Sequence, residues 1–172
     1  MADSESGESF WLSPDPRAII PLPDFRVTKT FAQRLRSGRF LVTFDQAFDS
    51  VVEACSNRPR TWISPEIKAV YGTLHRLGRA HSAEAWREGK LAGGVYGVSV
   101  GRAFMAESMF HDARDAGMAA LAAVVGRLRT AGCELFDVQF TTPHLIRCGA
   151  VEIPRAEYLK RLQKAVAGAD AF

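Results

Sequence analysis

The chain has 172 residues, 47% of them apolar and 24% charged, with a formal net charge of +3. That length gives room for one globular domain with one sizeable core and excludes a second full domain. No run approaches the roughly 18 uninterrupted apolar residues of a membrane span, so the sequence reads as soluble, with no membrane partner, and the charge is too small to require a nucleic-acid partner by itself.

Residues 1–9 are acidic and polar, without the basic start or apolar run of a secretory or targeting segment, and read as a disordered tail. Ser13-Pro14-Asp15-Pro16 and Pro21-Leu22-Pro23 keep residues 10–24 extended, because each proline fixes its own φ and biases its predecessor away from helix. These residues are expected to form an arm, with residues 25–172 as the single domain.

Thr28 is expected to cap a short helix that runs to Arg36, where Ser37-Gly38 supplies a left-handed stop. The cations Arg26, Lys29, Arg34, Arg36 and Arg39 fall in this stretch without an acid among them, either as a solvated helix face or as a surface for phosphates. Phe40–Phe44 reads as a strand, and Asp45 as the cap of a helix over about 46–56. Ser64-Pro65-Glu66 opens a helix with a cap, a proline at its first position and an acid in its first turn, and Gly78 ends it.

From His81 the period becomes extended. His81–Arg87, the turn Glu88-Gly89 and Lys90–Val98 predict a hairpin, and Arg102–Phe110 a third strand. Ala116–Ala131 is an alanine- and leucine-rich helix closed by Gly132, followed by a strand over Glu134–Phe140. A last strand near Cys148–Glu152 precedes a helix opened by Pro154. This order places the chain in the α/β (α+β) class, as a mixed sheet covered by helices. Cys55, Cys133 and Cys148 are odd in number and widely spaced, which fits reduced thiols of a cytosolic protein better than a disulfide framework or metal ligands. The histidines His75, His81, His111 and His144 show no ligand spacing either, so neither a metal nor a cofactor is implied.

Strict alternation along a strand would put Met105, Glu107 and Met109 on one face, and Asp137 with Gln139 on one face of theirs. A carboxylate on a covered apolar strand is costly unless it is paired, hydrogen-bonded or open to a cleft. Two readings stay open: these groups tie down loops and arginines, or they edge a polar cleft beside a soft apolar pocket.

The segments Trp11-Leu12-Ser13-Pro14-Asp15-Pro16-Arg17, Thr61-Trp62-Ile63, Gly93-Gly94-Val95-Tyr96-Gly97, Glu107-Ser108-Met109-Phe110, Asp137-Val138-Gln139, His144-Leu145 and Glu152-Ile153-Pro154-Arg155 follow in order. Together they resemble the leucyl/phenylalanyl-tRNA-protein transferase family. The resemblance implies a cytoplasmic aminoacyltransferase with an acetyltransferase-like fold. Such an enzyme moves leucine or phenylalanine from aminoacyl-tRNA to an acceptor protein beginning with arginine or lysine, and so marks it for degradation. It also implies roles: Asp137 and Gln139 in activating the attacking amine, Glu107 beside the aminoacyl group, and Val95, Met109, Leu121 and Phe136 around its side chain. Trp62 would meet the terminal adenosine of the tRNA.

The chain departs from the family pattern in three places. Trp11 stands almost at the start, which implies a member lacking the family's small N-terminal domain. His111-Asp112 and Ala116-Gly117-Met118 replace a serine-arginine and an alanine-serine-lysine, so two cations are lost and one acid appears. Arg147-Cys148 stands for a serine-leucine. Two alternatives accompany the aminoacyltransferase reading. One is a non-catalytic binder of N-termini or tRNA ends. The other is an acyl-CoA-dependent N-acyltransferase, because Arg114 to Ala119 fits an R-x-x-G-x-A phosphate loop before a helix.

Overall fold

Glu88 and Gly89 both adopt positive φ, 53° and 73°, which is the twist a two-residue hairpin needs between strands β3 (Ala80–Arg87) and β4 (Lys90–Val100). In the computed structural model, which describes residues 12–59, 61–170 and 172, this hairpin forms part of a seven-stranded mixed sheet. The acidic tail of residues 1–9 and Trp11 lie outside the described residues. The other strands are β1 (Arg17–Ile19), β2 (Leu41–Phe44), β5 (Ala103–His111), β6 (Leu135–Gln139) and β7 (Val151–Ile153). Their order is β2-β3-β4-β5-β6-β1-β7, and only β5 and β6 run parallel. The expected mixed sheet flanked by helices is therefore what forms. Among the described residues no helix is long and apolar enough to cross a membrane.

The helices are α1 (Lys29–Arg36), α2 (Phe48–Ser56), α3 (Pro65–Arg76), α4 (Ala116–Thr130), α5 (Pro143–Arg147) and α6 (Arg155–Val166). Thr28 and Ser64 cap α1 and α3 as their sequence signals predict, each accepting a backbone N–H from three residues on. Helix α4 covers one face, burying Leu121, Val124, Val125 and Leu128 against Val95, Phe104 and Phe136. Small residues let it approach closely: a Cβ on Gly93 would lie 2.7 Å from the Cβ of Ala116. On the other face, α2 and α3 pack Val51, Val52 and Tyr71 on Tyr96 and Phe110, while α6 sets Tyr158 against Ile19 and Leu135.

The arm and the Asp45 cap are among the points where the structure differs from the sequence reading. Of the stretch expected to stay extended, residues 12–16 are free of helix, but Leu22–Asp24 forms a 3-10 turn, and Arg17–Ile19 is more than an arm: it pairs with β6 and β7 inside the sheet. Asp45 caps nothing. Helix α2 starts at Phe48 after Ala47, and the Asp45 carboxylate instead accepts the Ser82 N–H at 2.8 Å and bonds Nδ1 of His81 at 2.9 Å. Tertiary partners on β3 compete for the side chain and win over the local cap.

That placement has a pH consequence. Burial would raise the carboxyl of Asp45, but the bonds from His81 and Ser82 outweigh it and hold the group below the usual carboxylate range. A depressed folded value contributes stability above the unfolded pKa of about 3.9 and loses it as pH falls through the folded value. Asp45→Asn is expected to lower the Tm at neutral pH, and thermal melts should show the gap from wild type narrowing as pH falls below about 3.9. A gap of constant size across that range would refute this account.

Candidate active site

Strands β5 and β6 pair only from Ala103 to Met105 against Leu135 to Asp137. Beyond those rungs each strand carries an irregularity. On β5, Tyr96 pairs with Ser108 and Gly97 with Ala106, so Glu107 is the extra residue of a β-bulge. On β6, Ala18 pairs with Gln139 and Ile19 with Asp137, and Gln139 takes a positive φ of 65°. The two strands separate at this point, and an apolar hollow of about 140 Å3 opens between them. Val95, Met109, Leu121, Val138 and Leu145 are among its walls, with Glu107 and Gln139 at its polar edge.

The bulge corrects the alternation expected along β5. Met109 packs with the α4-side cluster, whereas Met105 packs on the opposite side with Leu135 and Tyr158. One extra residue reverses the parity of every side chain after it, so Met105, Glu107 and Met109 do not share a face. Beyond the bulge, the Arg58 guanidinium donates to the Met109 carbonyl and pins the outgoing strand.

Glu107 and Gln139 are brought together: the amide Nε2 donates to the Glu107 Oε2 at 3.2 Å. The Tyr71 hydroxyl of α3 lies close to this carboxylate. Burial pushes the Glu107 carboxyl up, against the pull of Tyr71 and Gln139. Glu107 in turn raises the Tyr71 phenol, after burial itself, so that hydroxyl stays a donor. Trp62 does not line the hollow; it meets Tyr71 edge to face with ring centroids 6.3 Å apart.

Asp137 is placed differently. It is fully buried, does not line the hollow, and lies in a fork with Arg17, Nη2 to Oδ2 at 2.6 Å and Nε to Oδ1 at 3.0 Å. Phe136, expected around the aminoacyl side chain, is also buried, 6.0 Å from Phe104 between ring centroids, and does not line the hollow. Of the expected side-chain pocket, Val95, Met109 and Leu121 line the space.

A larger cleft of about 420 Å3 adjoins the hollow and shares Met109 and Leu145 with it. Arg26, Arg34 and Arg147 line it, together with His111 and His144. Burial, and then the charges of Arg147 and His111, pull the His144 pKa down and favour its neutral form. Part of this wall is α5, which Thr142-Pro143 opens with a helix-start signal; Thr142 accepts the Leu145 N–H at 3.2 Å. Among the described residues no group of three or more His, Cys, Asp or Glu is placed to hold a metal ion.

A family model described as leucyl/phenylalanyl-tRNA protein transferase matches residues 19–163. The chain belongs to that family. A leucyl/phenylalanyl-tRNA-protein transferase from Ruegeria pomeroyi is 50% identical over 163 residues, which is 95% of this chain and 78% of that protein. One from Herpetosiphon aurantiacus is 50% identical over 163 residues, 94% of this chain and 85% of that protein. Among solved structures, a conserved protein of unknown function from Bacteroides thetaiotaomicron superposes with a TM-score of 0.44 at 11% identity, covering 90% of this chain and 55% of that one.

Tyr71, Arg17 and Tyr158 escaped the sequence reading of this family member. No local signal marks them, because Arg17 lies 120 residues from the aspartate it holds.

Proposed function

We propose that the chain transfers a leucyl or phenylalanyl group from the 3′ end of its tRNA to the α-amine of an acceptor protein beginning with arginine or lysine, in the cytoplasm. The observation that carries this reading is an apolar hollow of about 140 Å3 with a carboxylate and an amide bonded to each other at its edge. Its volume is close to the roughly 150 Å3 at which a dry apolar cavity accepts benzene, so a phenyl or isobutyl side chain fits. One methylene is worth only about 1–3 kcal/mol in such a pocket, which predicts loose choice among large apolar side chains. The adjoining cleft offers Arg26 and Arg147 to the phosphates of an RNA end, while Arg34 is paired with Asp115, and Trp62 would give an aromatic face to its terminal base.

The aminoacyl ester is already activated, so the protein must align it with the amine and manage protons. Two protons leave the nitrogen. The first passes from the acceptor ammonium to the Glu107 carboxylate and on to solvent. The amine then attacks the ester carbonyl, the C–N bond forms, the C–O bond breaks, and the second proton goes to the departing ribose oxygen. Gln139, with its Nε2 given to Glu107, keeps its carbonyl oxygen for an N–H of the amine.

The acyl-CoA reading meets an obstacle at the start of α4. Asp115 sits there at a positive φ of 75°, held by Arg34 at 2.7 Å, and its carboxylate would repel a pyrophosphate. Incubation with labelled leucyl- or phenylalanyl-tRNA and a peptide beginning with arginine is expected to move the label onto the peptide. Absence of transfer at high protein concentration rules the reading out, and peptide binding without turnover would replace it with the binding-module alternative.

A further inference from the structure

We infer that Arg17 and Tyr158 are positioning residues for the transfer, and that Asp137 serves as their clamp on Gln139 and not as the group that takes the proton. This deepens the aminoacyl-transfer reading and rests on it.

Every oxygen of Asp137 is occupied. Oδ1 accepts Nε of Arg17 at 3.0 Å and the backbone N–H of Gln139 at 2.8 Å. Oδ2 accepts Nη2 of Arg17 at 2.6 Å and the Tyr158 hydroxyl at 2.7 Å. The carboxylate is fully buried and does not line the hollow. A general base must come within hydrogen-bond reach of the proton it removes, directly or through one water. Asp137 has neither a free oxygen nor an opening through which to do so.

What the cluster does reach is the backbone of residue 139. A positive φ is uncommon for a residue with a Cβ and persists only where the surroundings over-determine it. An aspartate that accepts the N–H two residues on provides such a restraint. With that bond in place, Gln139 leaves the regular strand, and its amide meets Glu107 across the gap between β5 and β6. Arg17 belongs to β1 and Tyr158 to α6, with the guanidinium 4.9 Å above the phenol ring, so the clamp joins both ends of the described chain beneath the reaction centre. The guanidinium supplies two fixed donors in one plane, a geometry that an ammonium does not reproduce.

Tyr158→Phe removes one of these bonds with little change in volume. It is expected to lower kcat about tenfold while the KM for leucyl-tRNA stays within about twofold, because a misplaced Gln139 affects the transition state more than the bound tRNA. Arg17→Lys should lower kcat further. The charged and titratable groups around Asp137 are Arg17 and Tyr158, with Glu107 farther off. Tyr158→Phe takes one hydrogen bond from the Asp137 carboxylate, whereas Arg17→Lys keeps the cation. If Asp137 took the proton, the acid limb of the kcat pH profile would move in Tyr158→Phe, and that result would overturn the inference. A limb that stays in place while kcat falls supports it.

One measurement is independent of catalysis. In the 15N-labelled protein, Tyr158→Phe should shift the side-chain amide resonances of Gln139, and unchanged resonances would also overturn the clamp. If Arg17→Lys fails to fold, both readouts remain available in Tyr158→Phe. A wild-type protein that transfers nothing defeats the aminoacyl-transfer reading and leaves the resonance test of the clamp standing.

Discussion

Glu107→Gln is expected to cut kcat about a hundredfold or more while leaving the Tm unchanged or higher. Both halves follow from the position of the carboxyl. Glutamine keeps the shape and an acceptor oxygen for Tyr71 and Gln139, so the packing around the bulge survives. It cannot take a proton from the acceptor ammonium. Burial is the largest influence on Glu107 and holds its pKa above the usual carboxylate value of about 4.3. The sign for stability is then opposite to that of Asp45. A carboxyl whose folded value is raised binds more protons in the folded state, so stability falls as pH rises from the unfolded value through the folded one. The charged form is the one the fold disfavours, and a neutral glutamine does not carry that cost. The same raised value predicts that activity declines on acidification at a pH above that of an ordinary glutamate. Rate assays and melts on the purified variant check both statements, and an unchanged kcat would exclude Glu107 from proton transfer.

The second large effect is on folding. Gly97 stands opposite the bulge, where a Cβ would lie 2.7 Å from the ring of Phe104 and closer still to the Met105 carbonyl. The ring belongs to the packed α4-side core and the carbonyl to a paired strand, so neither neighbour can yield cheaply. Gly97→Ala is expected to destabilise the protein by about 3 kcal/mol or more, read as the midpoint shift in urea, and Gly97→Val further. Gly126→Ala serves as the control. Nothing lies within 4 Å of its Cβ position, and alanine favours a helix interior, so a gain of about 0.5–1 kcal/mol is expected. Equal midpoints for the alanine variants at 97 and 126 would mean that the close approach at the bulge is not rigid.

Local signals made much of the fold legible. The turn residues at 88 and 89, the caps at Thr28 and Ser64, and the apolar run closed by Gly132 each describe interactions within a few residues, and each element formed where its signal lay. Asp45 shows where that logic fails: its side chain was read as a cap because aspartates often cap, yet partners from β3 took it. The site divides the same way. Glu107 and Gln139 stood out as polar groups on apolar strands, and they meet at 3.2 Å. Met105 was assigned to their side by strict alternation, which an unseen bulge defeats.

The sequence alone determined which residues carry charge and polarity, where helices and turns begin, and to which family the order of motifs belongs, because these depend on residue type and short spacing. The tertiary structure decided that β1 enters the sheet beside β6, that Glu107 occupies a bulge, and that Arg17 and Tyr158 close over Asp137 from opposite ends of the chain. Those outcomes arise from pairing register and from contacts across 120 or more residues in the case of Arg17, which no local pattern of side chains records.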